Sequence, residues 1–92
     1  MAREFDDIEI TILVNLYRGA YIGKRHTPLR NAIKGISSDK LGEAKKMIKK
    51  LIKEGYLSGY VTGHDLDVRI NPSCLNEIKE IPKFKEAIKD DF

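Results

Sequence analysis

Residues 35–61 read GISSDKLGEAKKMIKKLIKEGYLSGYV, and this stretch decides the fold. Apolar residues recur at steps of three and four, the spacing of one face of an α-helix. They are Leu41, Ala44, Ile48, Leu51 and Ile52. Gly55 follows and permits the left-handed turn with which many helices end. The stretch therefore predicts a helix over residues 39–54, with lysines on the side opposite the apolar stripe.

After Gly55 the apolar period falls from 3.6 residues to two, which indicates a β-hairpin. Leu57 and Val61 are expected to face inward from the first strand. On the second strand the inward positions are Leu66, Val68 and Ile70. The turn is expected at residues 63–64, and Pro72 ends the second strand.

The N-terminal segment over residues 6–18 is predicted to be a helix, because its aspartates suit the positive end of the helix dipole and Gly19 suits its end. Ile8, Ile12 and Leu16 form one helical stripe, although the alternation Ile8, Ile10, Ile12 also fits a strand. Residues 20–26 form a connector with room for a short strand at residues 21–22.

A second helix is expected to start with Thr27 as its cap and Pro28 at its first position, and to end at Gly35. Ser37 or Ser38 is expected to cap the long basic helix. Beyond the hairpin we expect a short helix from Ser73 and, after Pro82, an amphipathic helix. The apolar side of that last helix would hold Phe84, Ile88 and Phe92.

Basic charge is concentrated in the middle of this 92-residue chain, whose formal net charge is +3. Residues 18–55 hold eleven lysines and arginines against three acids, a net charge of +8. Such a segment is typical of a protein that binds a polyanion. Ordinary solvation of a surface helix by lysine fits the charge equally well.

Several functional classes find no support in the sequence. A single cysteine, Cys74, cannot form an internal disulfide and suits the reducing cytoplasm. The chain has neither a bilayer-spanning apolar run nor a basic-then-apolar leader. No catalytic motif is present, and a metal site from His26, His64, Cys74 and Asp65 would lack the usual ligand spacing. We therefore expect a cytoplasmic protein that is not an enzyme and holds no metal or cofactor.

The predicted order is helix, short strand, helix, tight turn, long basic helix, hairpin, helix. This order over residues 27–70 resembles the winged helix-turn-helix family, and in particular small archaeal and prokaryotic regulators. Leu51, Gly55, Tyr56 and Leu57 occupy the positions of that family's helix-to-wing pattern. The resemblance implies one α+β domain over residues 1–92. It would place a helix-turn-helix at 27–55, a wing at 56–71 and a C-terminal helical extension at 73–92.

The resemblance also implies binding of double-stranded DNA, as a transcriptional regulator, with the first half of the long helix in the major groove. Lys45 or Lys46 would reach guanine edges, while the other cations and hydroxyls would bind phosphates or act from the wing. The expected DNA-binding residues are Lys24, Arg25, Thr27, Arg30, Ser38, Lys40, Lys45, Lys46, Lys49, Lys50, His64 and Arg69.

Two further questions stay open at this level. The apolar first helix and the tail could pack on each other, or could form a homodimer interface; the dimer is favoured because small regulators commonly read two half-sites. Asp39 and Glu43, which would face phosphate, favour the alternative of a protein-interaction module. Binding of RNA or a single strand is disfavoured by the few aromatic residues available for stacking.

Overall fold

The computed structural model describes residues 4–63 and 65–89, the backbone alone at Asp65. The first helix, α1 (Asp7–Arg18), starts with a capping box, in which the Glu9 amide donates to the Asp6 carboxylate at 2.8 Å and the Asp6 amide donates to the Glu9 carboxylate at 3.2 Å. Both faces of α1 are buried, and the strand alternative for this segment is wrong.

A short strand, β1 (Thr27–Pro28), leads directly into α2 (Leu29–Ala32). The predicted Thr27 cap is therefore wrong. Pro28 holds the N-cap position without a side-chain bond, while the Thr27 hydroxyl is buried and accepts a hydrogen bond from the Asn31 amide at 2.7 Å. The sequence left room for a short strand at residues 21–22. The structure has one isolated β-bridge there, between Ile22 and Ile70.

The basic helix begins with a 3₁₀ turn at Ser38–Lys40 and continues as α3 (Leu41–Lys53). Ser37 holds the N-cap position of that turn but makes no side-chain capping bond, so the predicted serine cap is not formed. Gly55 has φ of +88°, as its position after the helix predicted. The turn is held by the Tyr56 amide, which donates to the Leu51 carbonyl at 3.0 Å.

The hairpin consists of β2 (Leu57–Thr62) and β3 (Asp65–Ile70), as predicted. Of the predicted turn, Gly63 is described and His64 lies outside the described residues. β1 adds to the other side of β3, so the described residues form an antiparallel sheet in the order β1-β3-β2. Leu57, Val68 and Ile70 enter the core. Val61 does not: its side chain is 86% exposed, because the hairpin extends past the helices that would cover it.

After a 3₁₀ turn at Pro72–Cys74, the chain forms α4 (Leu75–Lys79) and α5 (Pro82–Ile88). Phe84 is fully buried, and its ring meets the Tyr17 ring edge-on with 5.3 Å between centroids. Ile88 is buried as well, whereas the predicted contact of Phe92 lies outside the described residues. The fold is thus mixed α+β, with five α-helices and three antiparallel strands among the described residues.

α5 packs on α1 within the chain, which is the first of the two arrangements that the sequence left open. The Arg18 guanidinium donates to the Ala87 carbonyl at 3.0 Å, and Lys83 lies 3.4 Å from the Asp7 carboxylate. Phe84 and Ile88 are therefore buried within one chain, and the homodimer through the first helix and the tail stays a prediction. No helix of the described segments has the length and apolar character to cross a bilayer.

Candidate nucleic-acid interface

The exposed side of α3 carries a continuous set of cations, which we call the α3 lysine face. It consists of Lys45, Lys46, Lys49, Lys50 and Lys53. Ala44, Ile48 and Leu51 are fully buried on the opposite side of the same helix. At 100° per residue, Lys46 and Lys53 lie most nearly opposite the buried stripe, and Lys49 and Lys50 lie on either side of them. Lys45 lies closer to the stripe, on the same side as Lys49.

The lysines of this face have no ion-pair partner within the described residues. The salt bridges found there join other groups, such as Lys83 with Asp7 and Lys85 with Glu80. An ammonium group that lacks an internal partner stays solvated and surrounded by counterions, which an incoming phosphate can replace. The face therefore has the charge, the exposure and the freedom that a polyanion requires.

The flank that carries Lys45 and Lys49 borders a groove, which we call the α2–α3 groove. The groove encloses a space of about 360 Å³. It is lined by Leu29 and Arg30 of α2, by Ile33 directly after that helix, by Lys45 and Lys49 of α3, and by Leu66 of β3. The fold thus brings Arg30, which is distant in sequence, next to two lysines of α3. These three cations were all predicted to bind DNA.

The N-terminal end of the long helix is less favourable to phosphate. Ser38 and Lys40 are exposed in the 3₁₀ turn, but Asp39 lies between them and Glu43 follows in the first turn of α3. Both acids are exposed and have no ion-pair partner in the part of the chain that the structure describes. Cationic character is therefore strongest from Lys45 onward, toward the C-terminal end of the helix.

The structure removes Thr27 from the candidate surface. The residue is 2% exposed, and its hydroxyl is already engaged with Asn31. Lys24 and Arg25 are exposed in the connector before β1, and the Arg25 guanidinium lies over the Tyr21 ring at 5.2 Å from its centroid. His64 lies outside the described residues.

Arg69 belongs to a different surface, on the opposite face of the sheet from Leu66 and the α2–α3 groove, because alternate residues of a strand point to opposite faces. Its Nε donates to the Tyr60 hydroxyl at 2.7 Å. The His26 ring lies 5.0 Å from the Tyr60 ring and bonds through Nδ1 to the Asp67 carboxylate at 2.8 Å. We call His26, Tyr60, Asp67 and Arg69 the outer-sheet cluster.

Sequence reasoning named Arg69 without finding this cluster. The signal was present in the register: Tyr60 pairs with Asp67, and Ser58 pairs with Arg69, so all four point to the same face. Only the short β1 pairing, which the sequence did not predict, brings His26 beside them.

Cys74 stabilises the turn after α3. Its thiol is half-buried and donates to the Gly55 carbonyl at 3.2 Å, which fastens the turn after α3. Among the residues that the structure describes, no three histidines, cysteines or carboxylates come close enough together to hold a metal ion.

Comparison of the chain with protein-family models, with curated proteins and with solved structures gives no match.

Proposed function

We propose that this chain is a winged helix-turn-helix domain that binds double-stranded DNA in the cytoplasm and regulates transcription by occupancy. The order α1-β1-α2-α3-β2-β3 and the sheet order β1-β3-β2 support the assignment to that family. The observation that carries the proposal is the α3 lysine face: five exposed cations on one helix, without internal ion pairs among the described residues.

In the proposed complex α3 lies in the major groove, where an α-helix fits. Lys46 and Lys50 point toward the duplex, while Lys45, Lys49 and Arg30 bind phosphates along one side. The acids Asp39 and Glu43 keep the N-terminal end of the helix away from the phosphate chain; Glu43 could accept a hydrogen bond from a cytosine amino group. Arg69 is left out of this surface.

Fluorescence anisotropy with a labelled random duplex, measured over a series of salt concentrations, tests the proposal. We expect log K to fall linearly with log salt, with a slope of about −0.9 for each phosphate neutralised. The variant Lys45→Ala/Lys46→Ala should bind every duplex more weakly and should show a slope shallower by about 2. Affinity that hardly changes with salt would contradict the proposal.

A matched control removes two lysines elsewhere. Lys83→Ala/Lys85→Ala deletes the same charge from α5, where both side chains are exposed. Its duplex affinity should stay close to that of the unmodified protein. Equal weakening by both double variants would show that net charge, and not the α3 lysine face, accounts for binding.

The second candidate function is that of a protein-interaction module. Exposed Asp39 and Glu43 favour it, together with Val61, which presents an apolar side chain at the end of the hairpin. The same titration separates the two functions, because an interaction module would not retain a random duplex even at low salt.

A further inference from the structure

We propose that the α2–α3 groove is a binding site for a small amphipathic anion, one with a carboxylate head and an apolar tail. The proposal goes beyond DNA binding, and no pattern in the sequence indicates a pocket at this place. It is based on the lining residues, their charges and the size of the space.

The lining divides into two chemical kinds. Leu29, Ile33 and Leu66 supply an aliphatic floor; Ile33 is buried, and the two leucines are half-buried against the core. Arg30, Lys45 and Lys49 supply the rest, and all three are exposed. A ligand that contacts both the aliphatic floor and the cations must carry a negative charge at one end and bury hydrocarbon at the other.

The described residues that line the α2–α3 groove carry charge of one sign only, since none of them is an acid. The larger groove between α1 and α5 is lined by Asp7, Lys83 and Glu86 and so offers both signs. An arginine beside two lysines suits a carboxylate, since the planar guanidinium can donate two parallel hydrogen bonds to it. Charge complementarity therefore selects an anion in the α2–α3 groove and does not do so in the α1–α5 groove.

The size selects a small molecule over a peptide. About 360 Å³ lies near the lower end of the range for small-molecule sites. A docked amphipathic helix would need apolar anchors along two or more turns, and the floor offers one compact cluster. Duplex DNA presents phosphates and base edges but no hydrocarbon tail that would fill this floor.

Titration of the ¹³C-methyl-labelled protein with decanoate, followed by NMR, tests the proposal. We expect saturable shifts of the Leu29, Ile33 and Leu66 methyl resonances. Decan-1-ol, which has the tail without the charge, and inorganic phosphate, which has charge without a tail, should each bind at least about tenfold more weakly. The titration uses the protein alone, so its outcome is independent of whether the chain binds DNA.

Two double variants provide the comparison. Arg30→Gln/Lys49→Gln should weaken decanoate binding by about tenfold or more. Lys46→Gln/Lys50→Gln removes the same charge from the other side of α3 and should leave binding within about twofold. Methyl spectra report directly whether each variant is folded. Shifts that centre on the α1–α5 groove, or equal losses in both variants, would overturn the proposal.

Discussion

Gly19 lies directly against the ring of Tyr21: a Cβ atom at this glycine would be 2.3 Å from the ring Cε2 atom. The backbone of Gly19 has an ordinary helical φ of −81°, and the residue with positive φ is its neighbour, Ala20. The glycine that ends α1 is therefore required for space and not for a left-handed turn. The half-buried Tyr21 ring packs in the position that a side chain would need.

Substitution Gly19→Ala should destabilise the protein by about 1–3 kcal/mol, because the added methyl group must displace a packed ring. Gly42→Ala is the control. That glycine lies in α3, and among the described residues nothing beyond its chain neighbours and the helix's own backbone lies within 4 Å of the place that an added methyl group would take. Alanine should therefore stabilise by about 0.5–1 kcal/mol. Urea denaturation followed by circular dichroism measures both. A neutral or stabilising Gly19→Ala would contradict the steric account.

Asn15 connects α1 to the end of α2. Its Nδ2 donates to the carbonyl of Ala32 at 2.9 Å, which the end of the short helix leaves without an intrahelical partner, and to that of Lys34, in the turn after α2, at 2.8 Å. Asn15→Ala should cost about 1–2 kcal/mol of unfolding free energy in the same denaturation assay. Asn76→Ala, at an exposed position of α4, should change stability by less than about 0.5 kcal/mol. If the two substitutions changed the unfolding free energy equally, the proposed bridging of α1 and α2 by Asn15 would be contradicted.

Phe84 tests the assignment of α5 to the core of its own chain. Phe84→Ala should destabilise by about 3–5 kcal/mol, because it leaves a cavity against Tyr17. If the packing is within one chain, the unfolding midpoint should not depend on protein concentration. Sedimentation equilibrium of the unmodified protein gives its mass directly. An unfolding midpoint that rises with protein concentration would support the homodimer.

Arg69 was predicted to bind DNA, yet its guanidinium bonds to Tyr60 on the outer face of the sheet, away from the α3 lysine face. Arg69→Ala should therefore leave duplex affinity within about twofold and leave the salt slope unchanged. Fluorescence anisotropy with the random duplex is the measurement. A shallower slope, by about one phosphate contact, would show that the outer-sheet cluster takes part in binding.

The two proposals together predict competition. Lys45 and Lys49 line the α2–α3 groove and also belong to the α3 lysine face, so a bound carboxylate would neutralise cations that the duplex needs. Decanoate should lower duplex affinity in the unmodified protein and should have little effect on the Arg30→Gln/Lys49→Gln variant. An equal effect on both would mean that the anion acts as bulk salt.

The sequence by itself determined the elements whose signals are local. The period of the apolar residues placed α3 and the hairpin, and Gly55 marked the end of the long helix. The aspartates at its start and Gly19 at its end favoured a helix for α1, whose apolar spacing also fitted a strand. Each of these signals depends on neighbours within one or two turns. The charge pattern also identified the cationic segment. The side of α3 that carries lysine followed from the same period, since a buried stripe fixes the opposite face.

Tertiary structure decided what depends on contacts between distant segments. The sequence could not show that β1 would bury Thr27, that Val61 would extend beyond the core, or that α5 would pack on α1. Nor could it bring Arg30 to Lys45 and Lys49 around an apolar floor. The spacing of apolar residues and their secondary-structure propensities indicate which face of a helix or strand is apolar. Only the packing of whole elements determines which partner covers that face.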